Sequence, residues 1–169
     1  MSVVACKILE NGYEMASDSI CVCGWTQSRG ENQNFSKLFE VNNIVIGGVG
    51  KAQDNSLMQL FLQTHGISNP DEKSILEFIA EFSLWKKEKT DDAFIENEYL
   101  IGYQGKVFQI HKWMISEVKT YTAIGAGMDF ALASLYLGHS TKKAVETAIE
   151  LSIYCENPII TIKKLIETT

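Results

Sequence analysis

The pair Asn11-Gly12, set between two apolar runs, constrains the fold more than any other short feature of this sequence. Asparagine and glycine tolerate the left-handed backbone of a tight type I′ turn, so residues 3–8 and 13–22 are expected to fold back on each other as an antiparallel hairpin. A polar, irregular stretch, residues 24–34, then reads as a surface loop. Residues 35–41 and 43–48 form a second expected hairpin, turning at Asn42-Asn43.

Helical spacing replaces this alternation afterwards. Leu57, Leu60 and Phe61 mark a helix over 53–64 that follows Gly47-Gly48. A second helix is expected with Asn69 as N-cap, Pro70 in the first helical position and Asp71 and Glu72 favouring the dipole. Its stripe of Ile75, Phe78, Ile79, Phe82 and Trp85 reads as core and calls for no cofactor. The short basic cluster Lys86-Lys87-Glu88-Lys89 reads as a solvated helix face.

Three strands are expected next, over 98–103, 106–111 and 117–121, the first two joined at Gln104-Gly105. Helices over 128–137, stopped by Gly138, and 141–155, capped by Ser140, follow. Residues 159–166, beyond Pro158, suit either a short strand or a helical turn. Strands, two helices, strands and two helices make an α+β chain, with antiparallel sheets and helix pairs segregated into layers.

At 169 residues and 46% hydrophobic content, the chain fits one domain with a sizeable core. Fifteen Lys and Arg against 21 Asp and Glu give a net charge of −6, with no basic footprint for nucleic acid or an anionic membrane. No apolar run approaches the roughly eighteen residues of a membrane span, and no signal peptide is recognisable, so a cytoplasmic protein is expected. Cys6, Cys21, Cys23 and Cys155 lack CxxC spacing and read as reduced thiols. His65, His111 and His139 form no metal-binding spacing.

The chemistry concentrates at the N-terminus. Ser2 directly follows Met1, and removal of a methionine before a small residue would leave Ser2 carrying both a hydroxyl and a free α-amine. That amine, with an unperturbed pKa of about 7.7–8.0, is a ready base for the hydroxyl beside it. The opening Ser-Val-Val-Ala, Asn11-Gly12 and Met15-Ala-Ser-Asp18-Ser19 resemble the start of proteasome β-type subunits and bacterial HslV peptidases, both N-terminal-nucleophile hydrolases. The likeness recurs in Lys37-Leu-Phe, in Val45-Ile-Gly47-Gly-Val-Gly50 before a helix, in Ala123-Ile-Gly-Ala-Gly-Met-Asp-Phe-Ala131, and in the run 144–165.

This resemblance implies a four-layer αββα sandwich, with Ser2 as nucleophile, Asp18 as its supporting carboxylate and the Gly47 N–H as oxyanion donor. It also exposes two departures. The position of the family's lysine falls on Asn34, and that of a serine supporting the amine falls on Ala126. Lys37, three residues beyond Asn34, is expected to point elsewhere on a strand. By resemblance the chain would assemble into rings of its own copies and take peptides or unfolded proteins from a hexameric ATP-dependent unfoldase. The alternative is a relative that has lost catalysis and serves as an assembly or binding module. A small-molecule amidase or acylase is a third reading.

Overall fold

A computed structural model describes residues 1–31, 33 and 35–166. The first hairpin pairs β1 (Val4–Leu9) with β2 (Gly12–Ser17), Leu9 opposite Gly12 and Val4 opposite Ser17. Its turn is Glu10-Asn11, and neither residue takes a positive φ, so the turn is not type I′. Gly12 instead adopts a φ of 149°, and a Cβ there would overlap the carbonyl of Lys164 on the neighbouring C-terminal strand. The glycine answers a close approach of two strands rather than a turn.

The apolar run through residue 22 is broken after Ser17, and a short ribbon, β3 (Cys21–Cys23) and β4 (Thr26–Ser28), occupies part of the expected loop. The second hairpin joins β5 (Leu38–Val41) and β6 (Ile44–Val49) through Asn42 and Asn43 at φ 51° and 62°, as a type I′ turn requires. Helices α1 (Ala52–Phe61) and α2 (Glu72–Thr90) follow. The cap of α2 is Asp71 rather than Asn69: its carboxylate accepts the Ser74 N–H at 2.8 Å, while the Asn69 carbonyl accepts from Asp71 N.

Strands β7 (Glu98–Tyr103) and β8 (Lys106–His111) match expectation, and the third does not. A tight turn with Lys112 at φ 55° folds β9 (Met114–Glu117) straight back onto β8, and the chain then crosses to another sheet as β10 (Tyr121–Ile124). Of the expected strand 117–121, Glu117 ends β9, Tyr121 begins β10, and residues 118–120 between them are the crossover. Helices α3 (Met128–Tyr136) and α4 (Thr141–Leu151) precede β11 (Ile160–Leu165), which settles the last segment as a strand. Helix α4 stops four residues before Cys155 because Ser152 turns extended and its hydroxyl accepts the Tyr154 N–H.

Two fully antiparallel sheets result, one ordered β10-β1-β2-β11 and the other β5-β6-β7-β8-β9. Strand alternation sorts their side chains into three cores. Val4, Cys6, Tyr13, Met15, Val45 and Leu100 meet between the sheets. Val3, Ala5 and Ala16, on the opposite face of the first sheet, pack on α3 and α4 through Ala131, Leu135, Ala144 and Val145. Ile44, Ile46, Tyr99 and Ile101 pack on α1 and α2 through Met58, Phe61, Phe78 and Phe82. The architecture is the four-layer αββα sandwich, with β1 an interior strand.

One charged side chain defies its sequence context. Lys86, in the basic cluster of α2, is only 1% exposed, and its ammonium meets Asp54 at 2.9 Å, Asp92 at 3.2 Å and the Phe94 carbonyl at 2.8 Å. Three acceptors compensate a cation that would otherwise be too costly to bury. Among the described residues, no helix is long and apolar enough to cross a membrane.

Candidate active site

The N-terminal segment leads directly into β1, an interior strand of the first sheet. Ser2 is buried, and its hydroxyl donates to the carbonyl of Met1. Its own carbonyl accepts the Gly127 N–H at 3.1 Å, and a Cβ on Gly125 would overlap that carbonyl. The Gly125-Ala126-Gly127 turn therefore holds the backbone of Ser2, with Gly125 in the left-handed region at φ 94°. Ala126 is exposed and supplies no hydroxyl.

Asp18 lies just past the end of β2, and its carboxylate is saturated. Oδ1 accepts from Val3 N at 2.9 Å and from the Lys37 ammonium at 2.8 Å; Oδ2 accepts from Ile20 N at 3.1 Å and Glu156 N at 3.2 Å. Its side chain is 0% exposed and that of Lys37 is 8% exposed. This corrects the expectation for Lys37, which does not point away along a strand. It precedes β5, where the chain is not yet in the ladder, and its carbonyl takes the Gly48 N–H at 2.7 Å. The ammonium is thereby bonded to the same carboxylate oxygen that holds the residue after Ser2. Burial pushes the Lys37 pKa down from its usual 10.5, and the neighbouring Asp18 carboxylate opposes that shift. Asn34, the residue at the lysine spacing, lies outside the described residues.

A cavity of about 460 Å³ opens over this pair, and Ser2, Cys21, Phe35, Lys37, Gly48 and Gly50 are among its lining. Gly47 is not. It sits inside β6 between Leu38 and Leu100, and a Cβ there would lie 2.6 Å from Val4 Cγ1, so it marks a close approach of the two sheets. Gly50 is exposed to the cavity with a φ of 133°, and its N–H donates to no partner among the described residues. Reading the sequence alone missed Gly50 and set Lys37 aside. The signal for both was present, Gly50 as the third glycine of its run and Lys37 as the lysine nearest the expected position, but a fixed spacing from Ser2 cannot register an insertion in the preceding loop.

Cys155 stands behind the carboxylate, its pKa raised to about 11 by burial first and by Asp18 second. At ordinary pH it is a neutral thiol.

No family model matches the sequence, and no curated protein matches it closely enough to count as a relative. Comparison of structures is decisive for the fold. The BPH protein of Thiobacillus denitrificans superposes with a TM-score of 0.88 at 14% identity, over 99% of this chain and 100% of that one. The fold is that of the proteasome-like N-terminal-nucleophile hydrolases. The same protein in complex with epoxomicin gives a TM-score of 0.85 at 15% identity, over 98% of this chain and all of the other. HslV from Trypanosoma brucei matches at 0.68 and 18% identity, over 95% and 98% of the two chains. The Anbu complex from Pseudomonas aeruginosa, solved as a helical assembly, matches at 0.71 and 12% identity, over 96% of this chain and 81% of that one.

Proposed function

We propose that this chain is a self-assembling peptidase subunit of the proteasome-like kind, with Ser2 as the nucleophile once Met1 has been removed. The observation that carries the reading is the buried Lys37–Asp18 pair beside Ser2, with Lys37 and Ser2 both lining a cavity large enough for a substrate side chain. In the proposed reaction the Ser2 hydroxyl attacks an amide carbonyl carbon, giving its proton through water to the α-amine of the same residue. The Lys37 ammonium, held by Asp18, favours the unprotonated amine and the developing alkoxide by electrostatics. The tetrahedral oxyanion is stabilised by the Gly50 N–H. Collapse breaks the C–N bond, the protonated amine delivers its proton to the departing amino group, and an ester on Ser2 remains for water to hydrolyse.

Self-association is supported by the Anbu neighbour's helical assembly and by apolar side chains left exposed on the helical layers, among them Leu84, Tyr136, Leu137 and Leu151. An ATP-dependent unfoldase as supplier of unfolded chains follows from the likeness to HslV alone. The assembly-module reading rested on the loss of both lysine and serine. With Lys37 supplying a cation, only Ala126 still favours it.

The test uses Met-free protein verified by intact mass. Wild type is expected to cleave fluorogenic peptides and to gain the mass of one epoxyketone or β-lactone per subunit, and Ser2→Ala to do neither. Assembled, Met-free wild type that neither cleaves nor labels refutes the proposal.

A further inference from the structure

The turn from Gly48 to Lys51 carries both cavity glycines, and its shape is imposed from behind. Lys51 is the N-cap residue of α1 yet makes no side-chain cap. The capping acceptor comes from Asn97, one residue before β7, a side chain only 1% exposed. Its Oδ1 accepts the Lys51 N–H at 2.7 Å, and its Nδ2 donates to the Lys51 carbonyl at 3.0 Å and to Asn55 Oδ1 at 3.1 Å. Asn55 in turn donates to the Gly48 carbonyl at 2.9 Å. Two carboxamides thus grip the turn on both sides of Gly50.

They also explain its composition. A Cβ on Gly48 would overlap Asn55 Oδ1, and a Cβ on Gly50 would overlap Asn97 Oδ1. The two glycines are the space the amides occupy. Two of the three bonds of Asn97 hold Lys51, the residue after Gly50, and the third holds the Asn55 amide that grips Gly48, so all three bear on the segment that lines the cavity together with Ser2.

We propose that Asn97 is a positioning residue for the peptidase reaction, acting through the backbone of Gly48–Lys51 to hold the Gly50 N–H in place for the oxyanion. The inference rests on the proposed peptidase activity. Preorganised donors act on charge that develops during reaction, so loosening the turn slows the chemical step and leaves substrate affinity alone.

The experiment is Asn97→Ala in Met-free, assembled protein, with Asn97→Asp as a second variant that keeps the acceptor for Lys51 N–H and loses both donations. Kinetics of a fluorogenic peptide are expected to show kcat reduced by about 100-fold, the size of losing one oxyanion donor, with KM within about threefold of wild type. Acylation by a peptide β-lactone, which passes through a tetrahedral oxyanion, is expected to slow in parallel. Alkylation by a peptide vinyl sulfone, whose addition develops no carbonyl oxyanion, is expected to stay within about threefold. A merely structural role would slow both reagents together, and that result overturns the inference. If Asn97→Ala fails to assemble, Asn97→Asp gives the same readout. An active wild type whose variant acylates at an unchanged rate sinks this inference alone; an inactive wild type sinks the peptidase reading and this inference with it.

Discussion

Replacing Lys37 by methionine tests the central pair most directly, because the aliphatic stem and its packing are nearly preserved while the charge is removed. Asp18 is then left as a buried carboxylate with three main-chain donors, from Val3, Ile20 and Glu156, instead of four partners. Breaking a buried ion pair by deleting one partner costs about 3–5 kcal/mol, and the three surviving N–H bonds place this case near the lower end. A loss of about 3 kcal/mol is expected, which for a chain of this size lowers Tm by about 6–12 °C. Asp18→Asn should also destabilise, since its amide turns N–H hydrogens toward donors that had faced an acceptor.

In the double variant neither charge is stranded, so a double-mutant cycle should return a coupling of about 2 kcal/mol. The assay is urea denaturation followed by circular dichroism at one fixed protomer concentration, since association contributes to apparent stability. The same substitution removes the cation that favours the unprotonated Ser2 amine. The acid limb of the pH–rate profile should therefore move to higher pH as the residual rate falls. Coupling below about 0.5 kcal/mol, or a pH profile that does not move, would refute the argument that Lys37 and Asp18 act as one unit beside the nucleophile.

Two glycines give opposite expectations. Gly50→Ala should abolish turnover through its positive φ and its clash with Asn97, whereas Gly47→Ala, which presses on Val4, should cost about 1–3 kcal/mol of stability and spare the chemistry in whatever fraction folds. Peptide cleavage and thermal melts of the two variants separate these outcomes. Cys6 makes stability fall in alkali: burial raises its pKa from 9.0 to about 12, so the unfolded chain ionises first. Between pH 9 and 12 stability should decline by up to about 1.4 kcal/mol per pH unit from this thiol, and Cys6→Ala should make that limb shallower in urea titrations. Light scattering at micromolar concentration should give a mass well above the 18.9 kDa monomer, and a monomer mass would remove the case for self-assembly.

How much of this was legible in the chain depends on how local each feature is. The alternation of Val3 to Cys6, the apolar stripe of α2, the Asn42-Asn43 turn and the cap of α4 at Ser140 rest on contacts within a few residues, and these sufficed for the order of elements and for an α+β chain. Asp18 followed from the family likeness for a similar reason, standing just beyond a hairpin whose length fixes its distance from Ser2. Beyond that, local rules gave out. Gly12 looked like a turn residue because the strand that presses on it, with Lys164, lies far along the chain. Lys86 looked like a solvent-facing charge because Asp54, from the neighbouring helix, is needed to show it buried and paired.

The site divides along the same line. Sequence alone singled out a hydroxyl with an adjacent amine and a carboxylate at the right interval. Which lysine meets that carboxylate, and which of Gly47, Gly48 and Gly50 line the cavity with Ser2, was decided only by tertiary structure. Spacing along a chain locates partners only while no loop intervenes. The loop between Asp18 and Lys37 absorbs extra residues without moving its ends, and the sheet ladder, not the count of residues, decides which glycine is buried against Val4 and which is open to the cavity.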